Sequence, residues 1–162
     1  MLPFIKALNP VLVLKILFLM SISISLASQI EVKALNFYSD ENKGESILSG
    51  NVEIIRGDDI LTAEKVIIYT DKNRKPMRYE AVQNANFKIV LKGKTYKGSG
   101  DKFIYNVAKD IYEIDGNAFI NELESNQKLY GDRIIVDKRN NVYRVESKDK
   151  KPARFIFDLE QK

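Results

Sequence analysis

Ala63-Glu64-Lys65-Val66-Ile67-Ile68, Gly100-Asp101-Lys102-Phe103-Ile104-Tyr105 and Gly131-Asp132-Arg133-Ile134-Ile135-Val136 are three copies of one phrase. Each runs from a small residue through an acid and a base into an alternating apolar run. A second phrase precedes each copy, at Gly50-Asn51-Val52-Glu53-Ile54, Ala85-Asn86-Phe87-Lys88-Ile89 and Gly116-Asn117-Ala118-Phe119-Ile120. Two strand phrases recurring in fixed order describe one supersecondary unit stacked on copies of itself. The opening segment Val32-Lys33-Ala34-Leu35-Asn36-Phe37 keeps the base and the alternation but lacks the acid. It reads as a worn first copy, because a terminal repeat has a neighbour on one side only.

Outward from these phrases, period-two alternation dominates the chain from Ile30 on, as in Ile30-Glu31-Val32 and Val142-Tyr143-Arg144-Val145. Turn chemistry separates the runs at Asn42-Lys43-Gly44, Arg56-Gly57-Asp58-Asp59, Asp71-Lys72-Asn73, Lys92-Gly93-Lys94 and Lys138-Arg139-Asn140-Asn141. Val107-Ala108-Lys109-Asp110 reads as a hairpin connection. No helical period is sustained after residue 28, so the fold class is all-β, built of short strands rich in Ile, Val, Tyr and Phe.

The register inside each unit predicts its shape. Glu53 faces water, so Val52 and Ile54 face inward. In the next strand Leu61 and Ala63 fit one inward register, and Val66 and Ile68 fit inward only after a one-residue slip. A bulge or bend at Glu64-Lys65 explains the slip and keeps both charges outside. The same slip recurs at Asp101-Lys102 and Asp132-Arg133. A bend at one level in every strand folds a stack of strands into two facing layers.

Composition removes several chemistries. The chain has 162 residues, no Cys and no His, which excludes Cys/His metal sites and the Cys–His and Ser–His catalytic pairs. Glu64, Asp101 and Asp132 remain as repeated carboxylates. A repeated residue in a stack serves the stack, so they read as a cross-strand ladder of acids and bases on a solvated bend rather than as a catalytic set. The tyrosines read first as strand residues.

The first 27 residues stand apart. Lys15 precedes the apolar run Ile16-Leu17-Phe18-Leu19-Met20, which continues to Ser25-Leu26-Ala27, and the small residues at Ser25 and Ala27 suit cleavage before Ser28. The apolar segment is shorter than the roughly 20 residues that span a bilayer. The expected division is a signal peptide over 1–27 and a single domain over 28–162. The alternative is an uncleaved anchor beginning near Val11, with Lys15 snorkelling. Removal of residues 1–27 takes two lysines and no acid, and lowers the net charge from +4 to about +2. Mixed charges of this size give no nucleic-acid footprint.

The ordered phrases resemble the lipopolysaccharide transport proteins of the LptA/OstA-like family. Ile30-Glu31-Val32 matches the opening strand of that pattern, and Gly50-Asn51-Val52 the next. Ala63-Glu64-Lys65-Val66 matches an Ala-Asp-Lys-Val strand with Glu for Asp. Gly116-Asn117-Ala118-Phe119 and Gly131-Asp132-Arg133-Ile134 match the later strands. No single piece is specific; the order, the length and the export signal together are. The resemblance implies a β-jelly roll like a half-open shell, with two facing antiparallel layers and an apolar groove. It implies a periplasmic, non-enzymatic carrier of lipopolysaccharide that needs no cofactor. Its partners would be an inner-membrane LptC-like protein and an outer-membrane LptD-like translocon. Copies would associate head to tail through edge strands.

The inward positions nominate groove liners for lipid A: Ile30, Val32, Val52, Ile54, Phe87, Ile89, Phe103, Phe119 and Phe155. On the residues alone, the same row reads first as the filling of an ordinary closed core; the resemblance favours a groove. Lys92, Lys94, Lys97 and Lys102 are either a rim for lipid phosphates or a solvated face. Two rivals stay open: the membrane-anchored member of the same pathway, and an exported β-solenoid with a structural role. Strands about 4.8 Å apart in roughly eight layers predict a molecule about 40 Å long. Its first strand, Ile30 to Ala34, and its last, Ala153 to Phe157, would carry unpaired backbone edges that invite strand addition.

Overall fold

The computed structural model describes residues 30–140, 142–148 and 151–159. The expected signal peptide lies outside them. Ten antiparallel strands form one sheet: β1 (Ile30–Lys33), β2 (Asn36–Asp40), β3 (Glu45–Arg56), β4 (Asp59–Thr70), β5 (Pro76–Leu91), β6 (Lys94–Asn106), β7 (Ile111–Glu122), β8 (Gln127–Asp137), β9 (Val142–Glu146) and β10 (Arg154–Ile156). The path β1-β3-β4-β5-β6-β7-β8-β10 has eight layers, with β2 also on β3 and β9 also on β8. From β2 to β9 each strand pairs with the next through a short turn, while β1 pairs with β3 and β10 with β8. Val107–Asp110 is one such connection, and Leu123–Asn126 is another that the turn residues did not announce.

Every long strand is creased near its middle, and the crease is a bulge. Ser49 lies opposite Lys65 and Val52 opposite Ala63, so Gly50 and Asn51 together face Glu64. Gln83 and Asn84 likewise face Asp101, and Gly116 and Asn117 face Asp132. Two residues against one is a β-bulge, which bends the strand and increases its twist. All six bulge residues have positive φ, from 47° at Asn51 to 82° at Gly50. Glycine takes that conformation freely, and Asn tolerates it better than other residues.

The inward slip at the acid–base pair is present: Ala63 and Val66 both belong to the core. The extra residue, however, sits in the facing Gly-Asn phrase. In β5 the bend phrase is Gln83-Asn84-Ala85, two residues earlier than the repeat alignment places it. The correction brings Val52, Ala85 and Ala118 into equivalence, and each is 1% exposed.

The crease divides the sheet into two leaves. One leaf holds β1, β10 and the portions of β3–β8 paired with them; the other holds β2, β9 and the remaining portions. The edges break at the crease as well. The Leu35 N–H donates to the Gly50 carbonyl at 3.1 Å where β1 gives way to β2. The worn first copy is therefore split into two strands. On the other edge the Lys148 N–H donates to Asp132 Oδ2 at 2.5 Å between β9 and β10.

The leaves fold onto one another. Phe87 and Phe103 lie on opposite sides of the crease, and their ring centroids are 5.2 Å apart. The small residue that opens each phrase sits where the leaves meet: a Cβ on Gly100 would come within 2.4 Å of Ile114, and one on Gly131 within 2.6 Å of Val145. The result is a β-jelly roll of two facing antiparallel leaves with unclosed edges.

Candidate functional site

Side chains directly opposite one another in neighbouring strands share a face. Two inward rows follow from the registers. In the first leaf, Val32, Ile54, Leu61, Phe87, Gly98, Ile120, Leu129 and Phe155 succeed one another across the whole sheet. In the second, Phe37, Leu48, Val66, Ala81, Phe103, Ile114, Ile134 and Val145 do the same. Both rows run from one open edge to the other.

Around β3 and β4 the leaves touch, and Leu48, Val52 and Val66 are buried. Over β5 to β8 the core continues through Ala81, Ala85, Ile114 and Ile134, and an apolar cavity of about 500 Å³ opens beside it. One wall is formed by Phe87, Ile89, Ile120, Leu129 and Phe155, and the other by Phe103, Tyr112, Ile114, Ile134 and Val136. Gly98 is part of this design. A Cβ there would sit 2.1 Å from Phe87, so the missing side chain leaves room for the ring to lie across β6.

Eight of the nine nominated liners separate into three groups. Phe87, Ile89, Phe103 and Phe155 line the cavity. Val52 and Ile54 belong to the packed part of the core. Ile30 and Val32 stand exposed on β1, and pairing with Ile54 puts Val32 on the inward face at that edge. Phe119 is a correction. Its neighbours Ala118 and Ile120 both pack in the core, so alternation sends Phe119 to the outer face, where its ring lies 4.7 Å from Tyr130.

Three tyrosines do more than fill strand positions. Tyr79, Tyr105 and Tyr112 lie directly opposite one another on β5, β6 and β7. Their rings stack at 6.2 and 4.3 Å and extend the second wall. Burial raises the pKa of Tyr112, with the neighbouring Tyr105 adding to the effect, so the hydroxyl stays neutral. The clue was available in the hairpin: a turn over residues 107–110 necessarily brings Tyr105 opposite Tyr112.

Polar groups border the cavity at the strand ends of both leaves. Glu122 accepts from Lys94 Nζ at 2.7 Å and from the Ser125 hydroxyl at 2.8 Å. Those two bonds hold its carboxyl below the usual range. Lys94 is therefore engaged by an acid. Lys138 Nζ stands 5.5 Å from the centre of the Tyr112 ring.

The repeated acids hold the crease. The Asn51 N–H donates to Glu64 at 3.3 Å, and Asn117 Nδ2 to Asp101 at 3.2 Å. Asp132 accepts from the chain where the last edge breaks. These bonds account for the acids structurally. Among the described residues no three acids gather as a metal site.

Comparison with known proteins agrees with this geometry. Residues 31–142 match the family model described as LptA/(LptD N-terminal domain) LPS transport protein. The crystal structure of LptH from Pseudomonas aeruginosa has the same fold. LptH is described as the LptA-homologous periplasmic component of the conserved lipopolysaccharide transport device. The match has a TM-score of 0.67 at 18% identity and covers 83% of this chain and 96% of that one. No curated protein matches the sequence.

Proposed function

We propose, from the premise that this chain belongs to the LptA/LptD N-terminal domain family of lipopolysaccharide transport proteins, that it is a periplasmic carrier which holds the acyl chains of lipid A between its two leaves. Residues 1–27 are removed on export. The carrier forms part of a bridge between an inner-membrane LptC-like protein and an outer-membrane LptD-like translocon, and it catalyses no reaction.

One observation carries this reading: the inward apolar rows are continuous from edge strand to edge strand and widen into an open cavity. Each buried CH₂ contributes about 0.8 kcal/mol, so acyl chains are held without specific polar chemistry. The edges favour continuation from one copy to the next. β1 and β10 are only four and three residues long, and their inward side chains Val32 and Phe155 are exposed. A strand added to either edge would extend both the hydrogen-bond ladder and the apolar row.

Displacement of a fluorescent fatty-acyl probe by lipopolysaccharide tests the reading. The natural chain should bind the probe and release it to lipopolysaccharide. Ile120→Asp, which puts a charge in the cavity wall, should abolish both while Phe119→Asp leaves them. Equal binding by both variants would refute the groove. Sequencing the N-terminus of the exported protein tests the rest: a start near Ser28 supports a free carrier, and an intact Met1 supports an anchored one.

A further inference from the structure

The two leaves differ on their outer faces. On the leaf that carries β2 and β9, bases alternate with acids: Lys102 lies opposite Asp115, Asp115 opposite Arg133, and Arg133 opposite Glu146. Arg78 pairs with Glu80, Arg133 with Glu113 and Glu146, and Arg144 with Glu146. That face is neutralised from within.

On the outer face of the other leaf such pairing is confined to β1 and β3, where Lys33 meets Glu31 and Glu53. From β4 to β10 its outward strand positions are Ile60 and Thr62, Asn86, Lys88 and Val90, Thr95, Lys97 and Ser99, Phe119 and Asn121, Lys128 and Tyr130, then Arg154 and Ile156. No carboxylate is among them. Lys88, Lys97, Asn121, Lys128 and Ile156 form one transverse row, each opposite the next. Arg154 lies in the row beside it, its guanidinium 4.7 Å from the Tyr130 ring. Among the described residues none of these four cations is in an ion pair. Lys88 directly opposite Lys97 costs stability, because like charges in facing positions repel. In the middle of the row the Asn121 Oδ1 is buried without a hydrogen-bond partner.

Apolar residues border the cations on the same face, at strand ends where Asp59 accepts from the Val90 N–H and Glu124 from the Thr95 N–H. Val90 and Leu123 are exposed beside the row, towards the strand ends, and Ile156 is exposed at its end. The Leu123 N–H donates to the Thr95 carbonyl, and Thr95 lies opposite Val90, so these two apolar side chains flank one strand. Cations alone would suit any soluble polyanion. Cations at the level of exposed aliphatic side chains suit a surface that is anionic outside and apolar just beneath, which is a bilayer with acidic headgroups.

We propose that the outer face of this leaf, through Lys88, Lys97 and Lys128 with Val90 and Leu123, docks the protein on an anionic membrane surface. The lysines meet headgroup phosphates, and the aliphatic side chains enter the boundary beneath them. In this pose the inner face stays free, and of the docking residues Lys128 alone also borders the cavity. The proposal does not depend on what the cavity holds.

Flotation of the protein recovered from the periplasm of expressing cells tests this. Vesicles of phosphatidylcholine alone are compared with vesicles containing phosphatidylglycerol. The protein should float with the second kind only, and salt should release it. Lys88→Gln/Lys97→Gln/Lys128→Gln should weaken partitioning by about a hundredfold, from about fivefold per lysine. Its thermal midpoint should hold or rise, since facing like charges are removed. Val90→Ser/Leu123→Ser should weaken partitioning while leaving its salt dependence. Unchanged flotation of the triple variant would overturn the proposal. So would binding of polyphosphate, abolished in the triple variant, without any vesicle binding.

Discussion

Gly116→Ala probes the crease in its most constrained copy. Gly116 has φ +77°, and a Cβ there would lie 2.2 Å from Asp101 Oδ2 and 2.8 Å from Asp101 Cβ and Cγ. Two costs separate. Holding Ala in the left-handed region costs about 1–2 kcal/mol. The collision with Asp101 adds at least as much again, on the scale of about 1–3 kcal/mol for overpacking a site that yields only in part. The single substitution is expected to destabilise the fold by about 2–4 kcal/mol. Asp101→Gly removes every atom of the collision but leaves φ alone. A double-mutant cycle by urea unfolding therefore isolates the contact, because the cost of a new glycine in β6 appears in both arms and cancels. The cycle should return a coupling of about 1–2 kcal/mol, with the double variant more stable than the sum of the singles predicts. Additive effects would refute the claim that the acid of one strand is fitted to the bulge of the next.

Three other outcomes follow. Ile134→Ala, at a position 1% exposed in the centre of the second leaf, should cost about 2–5 kcal/mol in urea unfolding. Tyr112 has its pKa raised above 10.0 by burial, so the folded protein keeps a proton that the unfolded chain loses. Stability should be unaffected by this group below pH 10 and fall as pH rises past it, and Tyr112→Phe should make that fall shallower in urea titrations across the alkaline range. Val32→Lys and Phe155→Lys, which place charge at the two open ends of the inward row, should each shift sedimentation profiles from multimers towards single copies. Unchanged profiles would remove edge pairing from the account.

Much of this architecture was legible because strand alternation has period two and leaves little freedom once one charged residue is assigned to water. Glu53 alone orients Val52 and Ile54, and the failure of alternation between Ala63 and Val66 reveals the bend. What alternation cannot show is which of two paired strands carries the extra residue. The acid–base phrase is conspicuous in sequence, yet the bulge lies opposite it, in Gly50-Asn51, Gln83-Asn84 and Gly116-Asn117. In β5 the Gln-Asn pair hid the bulge, because Gln is an unusual residue at φ 65° and the neighbouring Ala85-Asn86 imitates the Gly-Asn pattern. That error is local. Phe119 shows a different limit: the repeat puts it at the position of outward Glu53, yet a large aromatic beside a small alanine suggests the reverse. The cavity itself depends on where the leaves separate. That is a property of packing between residues far apart in the chain, such as Phe87 and Phe103, and strand patterns do not contain it.

The placement of the core beside the cavity also bears on the proposed function. From β3 to β8 the buried residues form one continuous cluster, and the cavity opens beside it over β5 to β10. A carrier of the kind proposed must keep its shape whether loaded or empty, and the continuous core supplies that rigidity. The crease bonds at Glu64 and Asp101 hold the angle between leaves from outside the cavity.

The central claim, that the inner face between the leaves holds lipopolysaccharide, is tested most directly by two adjacent residues. A photo-reactive side chain placed at Ile120 faces the cavity, and one at Phe119 faces solvent on the other side of the same strand. After irradiation in cells, position 120 should carry covalently attached lipopolysaccharide and position 119 none. Attachment at 119 with none at 120 would contradict the account.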